Sequence, residues 1–264
     1  MAKAMQARAK SEKKADVSLK LRNPKKASSA STQHVHIMKQ GVRCETDTRG
    51  HETPRGQSRL KLVVDASEGF IPLWAKDVTL RWRFRESSFA AFENPASVKA
   101  TVEKLLAESI LAWGDAAPVK FAFREDAWDF EILVRKQDDC DISGCVLASA
   151  FFPDAGRHQL VIYPKLFLES WEEQVETMVH EIGHVFGLRH FFAQISETSW
   201  PAEVFGKHSK FSIMNYGGLS RLTAADREDL KNLYGLVWAG KLTKLNGTKI
   251  KLMKPFHASG VSVD

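Results

Sequence analysis

The chain has few cysteines and no long apolar run. Its 264 residues include 3 cysteines, an odd number that argues against the paired framework of a small disulfide-stapled domain. No apolar stretch approaches the roughly 18 residues that a membrane-spanning helix needs, and no internal repeat is visible. These absences exclude a disulfide scaffold and a repeat protein, and they predict a soluble chain without a membrane partner.

The amino end also lacks an apolar targeting segment. Residues 1–26 carry charges throughout and contain no apolar core of about 7–15 residues, the mark of a secretory signal. We therefore expect an intracellular protein, cytoplasmic or nuclear, with secretion by another route as the alternative. Cys140 and Cys145 are close enough to bridge, but in such a compartment we expect free thiols.

Basic residues are concentrated near the start of the chain. Residues 1–58 contain 13 Lys+Arg and 5 Asp+Glu, whereas 59–264 has a slight acidic excess, within a net charge of +6. Because this segment is poor in large apolar residues, we expect a disordered tail or a pro-segment. Such a charge run is usually solvated, so a nucleic-acid partner is not expected.

Three histidines, a glutamate and two glycines follow one another in His180-Glu181-Ile182-Gly183-His184-Val185-Phe186-Gly187-Leu188-Arg189-His190. On a helix, residues four apart share a face, so His180 and His184 can direct ring nitrogens at one metal ion. A turn at Gly187 then brings His190 to a third corner of a zinc tetrahedron. The fourth corner stays open for water, which separates a catalytic zinc from a structural one.

Glu181 supplies the acid–base group of such a site. Zinc lowers the pKa of water from about 15.7 toward roughly 7, and Glu181 can take the proton and pass it to the leaving amine. An amphipathic core helix would explain the apolar residues of this stretch, but it would not explain three histidines at these intervals. The motif therefore predicts peptide-bond hydrolysis.

A second motif lies downstream, at Ser212-Ile213-Met214-Asn215-Tyr216-Gly217-Gly218. Together the two motifs resemble those of the metzincin clan of zinc endopeptidases, in which a tight turn follows the long zinc motif. The resemblance implies that Met214 forms an apolar floor beneath the three histidines. It also implies that Tyr216 stabilises the oxyanion by a hydrogen bond; the alternative is a Tyr-Gly-Gly turn without a catalytic part.

Within the clan, residues 70–236 are most similar to the matrixins. Residues 112–121 resemble the end of the first matrixin helix, 147–153 resemble the edge strand that aligns an extended substrate, and 222–226 resemble the start of the last helix, with Thr223 as its cap and Asp226 at the third helical position. The resemblance implies an α+β, metzincin-like zincin fold: a twisted mixed five-stranded sheet with three main helices. It places the catalytic domain at residues 59–236.

Apolar periodicity predicts the individual elements of this domain. The predicted strands are 78–84, 119–123, 130–134 and 160–163, and the predicted helices before the last one are 97–113 and 171–186. Residues 237–264 form a C-terminal extension with a hairpin around Asn246-Gly247, and the sequence assigns it no role.

The matrixin pattern is incomplete at its second, structural zinc. Ser149 stands where that family has a histidine ligand, and residues 136–145 contain no histidine. His158 is expected to be a solvated loop residue. We therefore expect one catalytic zinc ion, and the sequence leaves a calcium requirement open.

Cys44 lies in Val42-Arg43-Cys44-Glu45-Thr46-Asp47. Its Arg-Cys pair resembles part of the sequence that keeps matrixin proenzymes latent, although the flanking proline and glycine are missing. A thiolate at the open zinc position would exclude water, so the resemblance implies that Cys44 is a latency ligand. The alternative is an ordinary thiol.

Two functions follow from these observations. The first is a monomeric zinc endopeptidase acting on a protein or peptide substrate. The second is a catalytically silent zinc-binding or interaction protein, which the intact Glu181 disfavours.

Overall fold

Strands and helices are mixed along the chain in the computed structural model, which describes residues 41–44, 46, 62–65, 69–142, 144–190, 202–205, 212–214 and 220–259. The strands are β1 (Gly41–Arg43), β2 (Leu62–Asp65), β3 (Ile71–Trp74), β4 (Thr79–Phe84), β5 (Lys120–Phe123), β6 (Phe130–Val134), β7 (Asp139–Asp141), β8 (Gly144–Val146), β9 (Ala148–Ser149), β10 (His158–Ile162), β11 (Ala202–Phe205), β12 (Lys244–Leu245) and β13 (Thr248–Met253). The helices are α1 (Glu86–Phe89), α2 (Pro95–Trp113), α3 (Trp171–Val185) and α4 (Ala224–Trp238). The predicted α+β class is confirmed.

The largest sheet has five strands in the order β5-β4-β6-β10-β9. The pairs β4–β5, β4–β6 and β6–β10 are parallel, and the edge strand β9 is antiparallel to β10. The central strand β6 is buried along its whole length, as expected where both faces of a parallel sheet are covered. The predicted mixed five-stranded sheet is confirmed, and the six elements predicted from periodicity have observed bounds within two residues of the predicted ones.

Local sequence fixes where the three long helices begin. Asn94 caps α2, while Ser170 and Glu173 form a reciprocal capping box at the start of α3. Thr223 and Asp226 form the same arrangement at α4, which confirms the predicted cap. None of the helices in the described ranges combines the length and apolar character required to cross a bilayer.

The C-terminal residues form a hairpin that packs into the main core. Asn246 and Gly247 connect β12 to β13 with φ angles of 48° and 96°, and two positive φ angles are typical of the tight hairpin turn that this dipeptide predicts. Strand β13 pairs in parallel with β3, and Leu245 and Met253 are buried in the same hydrophobic core as the long helices. The predicted extension is thus packed against the rest of the molecule.

A smaller sheet, in the order β1-β8-β7, brings a segment near the amino end onto a hairpin. Strand β1 runs parallel to β8, and β7 is antiparallel to β8. Cys140 and Cys145 form a disulfide across this hairpin. The expectation of free thiols is wrong, because the two residues are direct partners in the ladder with Cα atoms 4.0 Å apart. The register of the hairpin decides this pairing, and the absence of a targeting segment does not bear on it.

Candidate metal centre

Helix α3 carries two of the three histidines on one face. The Nε2 atoms of His180 and His184 lie 3.1 Å apart. The Nδ1 atoms lie 2.8 Å from Ile213 O and 2.7 Å from Leu188 O respectively. Because a carbonyl oxygen can only accept a hydrogen bond, each Nδ1 carries the ring proton and each Nε2 keeps a bare lone pair.

His190 completes a cluster of three imidazoles. Its Nε2 lies 2.8 Å from His180 Nε2, and all three rings are fully buried. The Nε2 lone pairs of His180 and His184, which face each other at 3.1 Å, repel unless a cation lies between them. Nitrogen ligands at 2.0–2.1 Å from a tetrahedral zinc ion are about 3.3 Å apart. The distances between these nitrogens are therefore close to those expected for three ligands of one zinc ion.

A glycine turn connects the helix to His190. Leu188 N donates to Gly183 O at 3.0 Å and Gly187 N donates to His184 O at 2.8 Å, which is the Schellman pattern of a helix end. Gly187 has a φ of 88°, and a Cβ there would lie 3.2 Å from Pro72 O. Both the conformation and the close packing therefore require glycine. The turn also places the Leu188 carbonyl that orients His184.

Met214 packs directly against α3. It is 2% exposed, and a Cβ added to Gly183 would lie 2.6 Å from its sulfur. Gly183 is a residue whose function the sequence analysis did not assign. A signal was present, because a glycine inside a helix costs about 1 kcal/mol relative to alanine and therefore suggests a packing reason.

A buried carboxylate fixes the turn that contains Met214. Ser212 Oγ donates to Asp226 Oδ1 at 2.6 Å and accepts from Met214 N at 3.3 Å. The intervening Ile213 carbonyl accepts from His180. The start of α4 thus helps to orient the His180 ring through residues 212–214. Tyr216, the predicted oxyanion donor, lies outside the described residues.

Cys44 lies against the histidine cluster. Its Sγ is 3.6 Å from His184 Nε2, and the potential ligand atoms of Cys44, His180, His184 and His190 all lie within 4.8 Å of one another. A sulfur at about 2.3 Å and a nitrogen at about 2.0 Å from a tetrahedral zinc ion are separated by roughly 3.6 Å. The thiol therefore lies where a fourth ligand would lie.

Thr46 and Cys44 together cover Glu181. The Thr46 hydroxyl donates to Glu181 Oε2 at 2.9 Å and accepts from Ala150 N at 2.8 Å. The Cys44 thiol lies 3.3 Å from Glu181 Oε1. Glu181 is fully buried, with both carboxylate oxygens in contact with this segment. The sequence analysis missed Thr46, since no motif marks it and the contact spans more than a hundred residues.

Two side chains bind the last carbonyls of α3. Trp74 Nε1 donates to Val185 O at 2.7 Å, and the Tyr234 hydroxyl donates to Phe186 O at 3.0 Å. Burial raises the pKa of Tyr234 above its ordinary range, so the phenol remains a donor. These carbonyls lack partners within the helix, so both side chains satisfy polar groups that burial would otherwise penalise.

His158 and Ser149 lie on neighbouring strands, β10 and β9. His158 begins β10, and its ring stacks on Phe151 with centroids 4.5 Å apart. The prediction of a solvated loop histidine is wrong, because its side chain is only 18% exposed. The His158 ring, whose Nε2 lies 3.7 Å from Asp154 Oδ1, lowers the pKa of that carboxyl. Among the described residues, the cluster of Cys44 and the three histidines alone has the spacing of a metal site.

Comparison with known proteins shows similarity to a metalloprotease in sequence and to solved structures in fold. No model of a protein family matches the chain. The chain is 26% identical over 168 residues to macrophage metalloelastase of Rattus norvegicus, an alignment that covers 59% of this chain and 34% of the relative. The structure of myroilysin overlaps with a TM-score of 0.40 at 15% identity, covering 65% of this chain and 98% of that one, a score too low to support an argument. The chain spans about a third of the length of this relative, and its similarity to a metalloprotease is at low sequence identity.

Proposed function

We propose that this protein is a zinc-dependent endopeptidase of the metzincin type, similar to the matrixins, which binds one zinc ion through His180, His184 and His190. The observation that carries the proposal is the convergence of three imidazole Nε2 atoms beside the buried carboxylate of Glu181. A set of nitrogen ligands at these spacings suits zinc. The low similarity to a protein named macrophage metalloelastase supports the same chemistry.

In this proposal the residues of the chain divide the work of hydrolysis. When bound, zinc supplies Lewis-acid chemistry, lowering the pKa of water and polarising a peptide carbonyl. Glu181 accepts a proton from the attacking water on a carboxylate oxygen and delivers it to the leaving nitrogen. Tyr216 donates a hydrogen bond to the developing oxyanion. Met214 keeps the space beneath the histidines apolar.

A second part of the proposal concerns latency through Cys44. As a fourth ligand, the Cys44 sulfur would close the zinc shell and leave no position for water. Thr46 adds a second block, because its hydroxyl binds the carboxylate that must accept the proton. Glu181 is fully buried and in contact with Cys44 and Thr46, so a peptide would reach its carboxylate only after these two residues move away.

The test compares hydrolysis of an unstructured protein by the full chain and by Cys44→Ser, each with Glu181 and with Glu181→Gln. We expect Cys44→Ser to cleave the substrate. We expect Glu181→Gln to keep its zinc but to lose about 10²–10⁴ in turnover, because an amide of the same shape cannot accept the proton.

The measurement separates the enzyme from a silent zinc-binding protein. Zinc content near one ion per chain with no hydrolysis by any of the four chains would support the silent protein. Equal rates with Glu181 and with Glu181→Gln would move the chemistry to another residue. Failure of the protein to retain zinc would refute the metal assignment.

A further inference from the structure

We infer that Trp74 is a positioning residue of the metal centre and that the C-terminal hairpin of β12 and β13 holds it in place. The inference rests on the proposed zinc site and deepens it. It gives the C-terminal residues a part in the reaction, because they fix the strand that the metal-binding turn packs against.

The carbonyl groups at the end of α3 all accept hydrogen bonds. Ile182 O and Gly183 O accept from Phe186 N, and His184 O accepts from Gly187 N. The next carbonyl, Val185 O, has its hydrogen bond from the indole of Trp74. Trp74 therefore binds the peptide unit that follows His184 and precedes the turn toward His190.

Strand β3 also touches the turn itself. Pro72 O and the Leu73 side chain would lie 3.2 and 3.1 Å from a Cβ placed on Gly187. The four residues of β3 are all buried. A small displacement of β3 would therefore be transmitted directly to the backbone that sets the position of His190.

The C-terminal residues supply the restraints on β3. Among the described strands, β13 is the one that forms a ladder with β3, with Met253 opposite Trp74. Met253 O accepts from Ala75 N at 2.9 Å, and Trp238 Nε1 donates to Trp74 O at 3.0 Å. Tyr234 closes the arrangement, because its hydroxyl accepts from Trp74 N at 3.2 Å.

The test uses the full chain and measures zinc affinity by competition with a chelator, together with the cobalt(II) absorption spectrum of the substituted protein. Trp74→Phe removes the indole N–H and keeps an aromatic ring. We expect its zinc affinity to fall about 10- to 100-fold, the usual effect of losing a group that orients metal ligands. We also expect an altered cobalt spectrum.

A matched control separates positioning from general stability. Phe89→Leu alters another fully buried aromatic residue, on α1, an element that contacts α2 and β6; the Phe89 ring packs edge-to-face on Phe84. We expect it to lower the unfolding temperature while zinc affinity and the cobalt spectrum stay as in the unmodified chain. A folded Trp74→Phe protein with zinc affinity within twofold of the unmodified chain would overturn the inference.

The hairpin is tested through its backbone. Lys251 lies in β13 with an exposed side chain, so Lys251→Pro disturbs the ladder to β3 while Lys251→Ala changes the side chain alone. We expect the proline variant to reproduce the loss of zinc affinity and the alanine variant to match the unmodified chain. If both variants bind zinc normally, the hairpin does not position Trp74. If the unmodified chain itself binds no zinc, the proposed function fails first.

Discussion

At the scale of single residues, Gly183 has no room for a side chain. A Cβ would lie 2.6 Å from Met214 Sδ and 3.3 Å from the Trp113 ring. We expect Gly183→Ala to lower the free energy of unfolding by about 1–3 kcal/mol, because overpacking outweighs the gain in helix propensity.

Gly235 is the matched control for this change. It lies in α4, with no atom within 4 Å of an added Cβ. We expect Gly235→Ala to raise the free energy of unfolding by about 0.5–1 kcal/mol. Denaturant titration of both variants checks the pair, and equal shifts of the same sign would contradict the packing argument.

Tyr234 predicts how stability responds to alkaline pH. Burial raises its pKa in the folded state above the ordinary value of 10.0. The stabilisation that the buried Tyr234 phenol gives the folded state is therefore complete below about pH 10. It is lost as the pH rises, because the unfolded chain releases a proton that the folded chain keeps. Above that pH we expect a decline of about 1.4 kcal/mol per pH unit from this group.

Tyr234→Phe should remove that part of the decline. Urea unfolding of both chains between pH 9 and 11 measures the difference in slope. Parallel stability curves for the two chains over this range would show that the phenol is not the group responsible.

At the scale of elements, β1 pairs with β8, and beyond it Cys44 contacts the histidine cluster while Thr46 accepts a hydrogen bond from Ala150. We expect Cys44→Ser to raise the hydrolysis rate of the full chain at least tenfold, because a hydroxyl is a much weaker zinc ligand than a thiolate. Thr46→Val should give a smaller increase. Hydrolysis of a labelled peptide measures both, and unchanged rates would leave Cys44 an ordinary thiol.

Elements whose causes are local could be predicted from the sequence. The cap at Thr223 and the hairpin at Asn246-Gly247 are examples, because the residues that determine them are neighbours in the chain. The pairing of β1 with β8 could not be predicted in this way. It depends on a register between segments about a hundred residues apart, and no local pattern specifies that register.

The residues of the candidate site likewise fall into those that the sequence predicts and those that it does not. The intervals within residues 180–190 predict which side chains can converge, because one helix and one turn set their geometry. The roles of Trp74 and Tyr234 were not predictable, since each depends on where a distant side chain meets a helix end. Nothing in their immediate sequence marks them as different from ordinary core aromatic residues.

At the scale of the whole molecule, the C-terminal hairpin decides how much chain is needed for a folded domain. Leu245 and Met253 are part of the main core, and β3 has its ladder with β13. We expect residues 59–264 to fold and 59–236 to be destabilised by at least about 3–6 kcal/mol, from two large apolar side chains at roughly 1.5–3 kcal/mol each. Circular dichroism during thermal unfolding compares the two fragments, and equal midpoints would show that the hairpin is dispensable.

If the three buried imidazoles and Cys44 hold zinc as proposed, their burial has a consequence for how the protein would acquire its metal. An ion cannot exchange with the solvent through a closed site, so loading would have to precede the docking of the segment that carries Cys44 and Thr46, or wait for its release. The opening rate of this segment then sets the lifetime of the bound ion, whatever its equilibrium affinity. Metal exchange and the onset of hydrolysis should consequently share one rate-limiting motion.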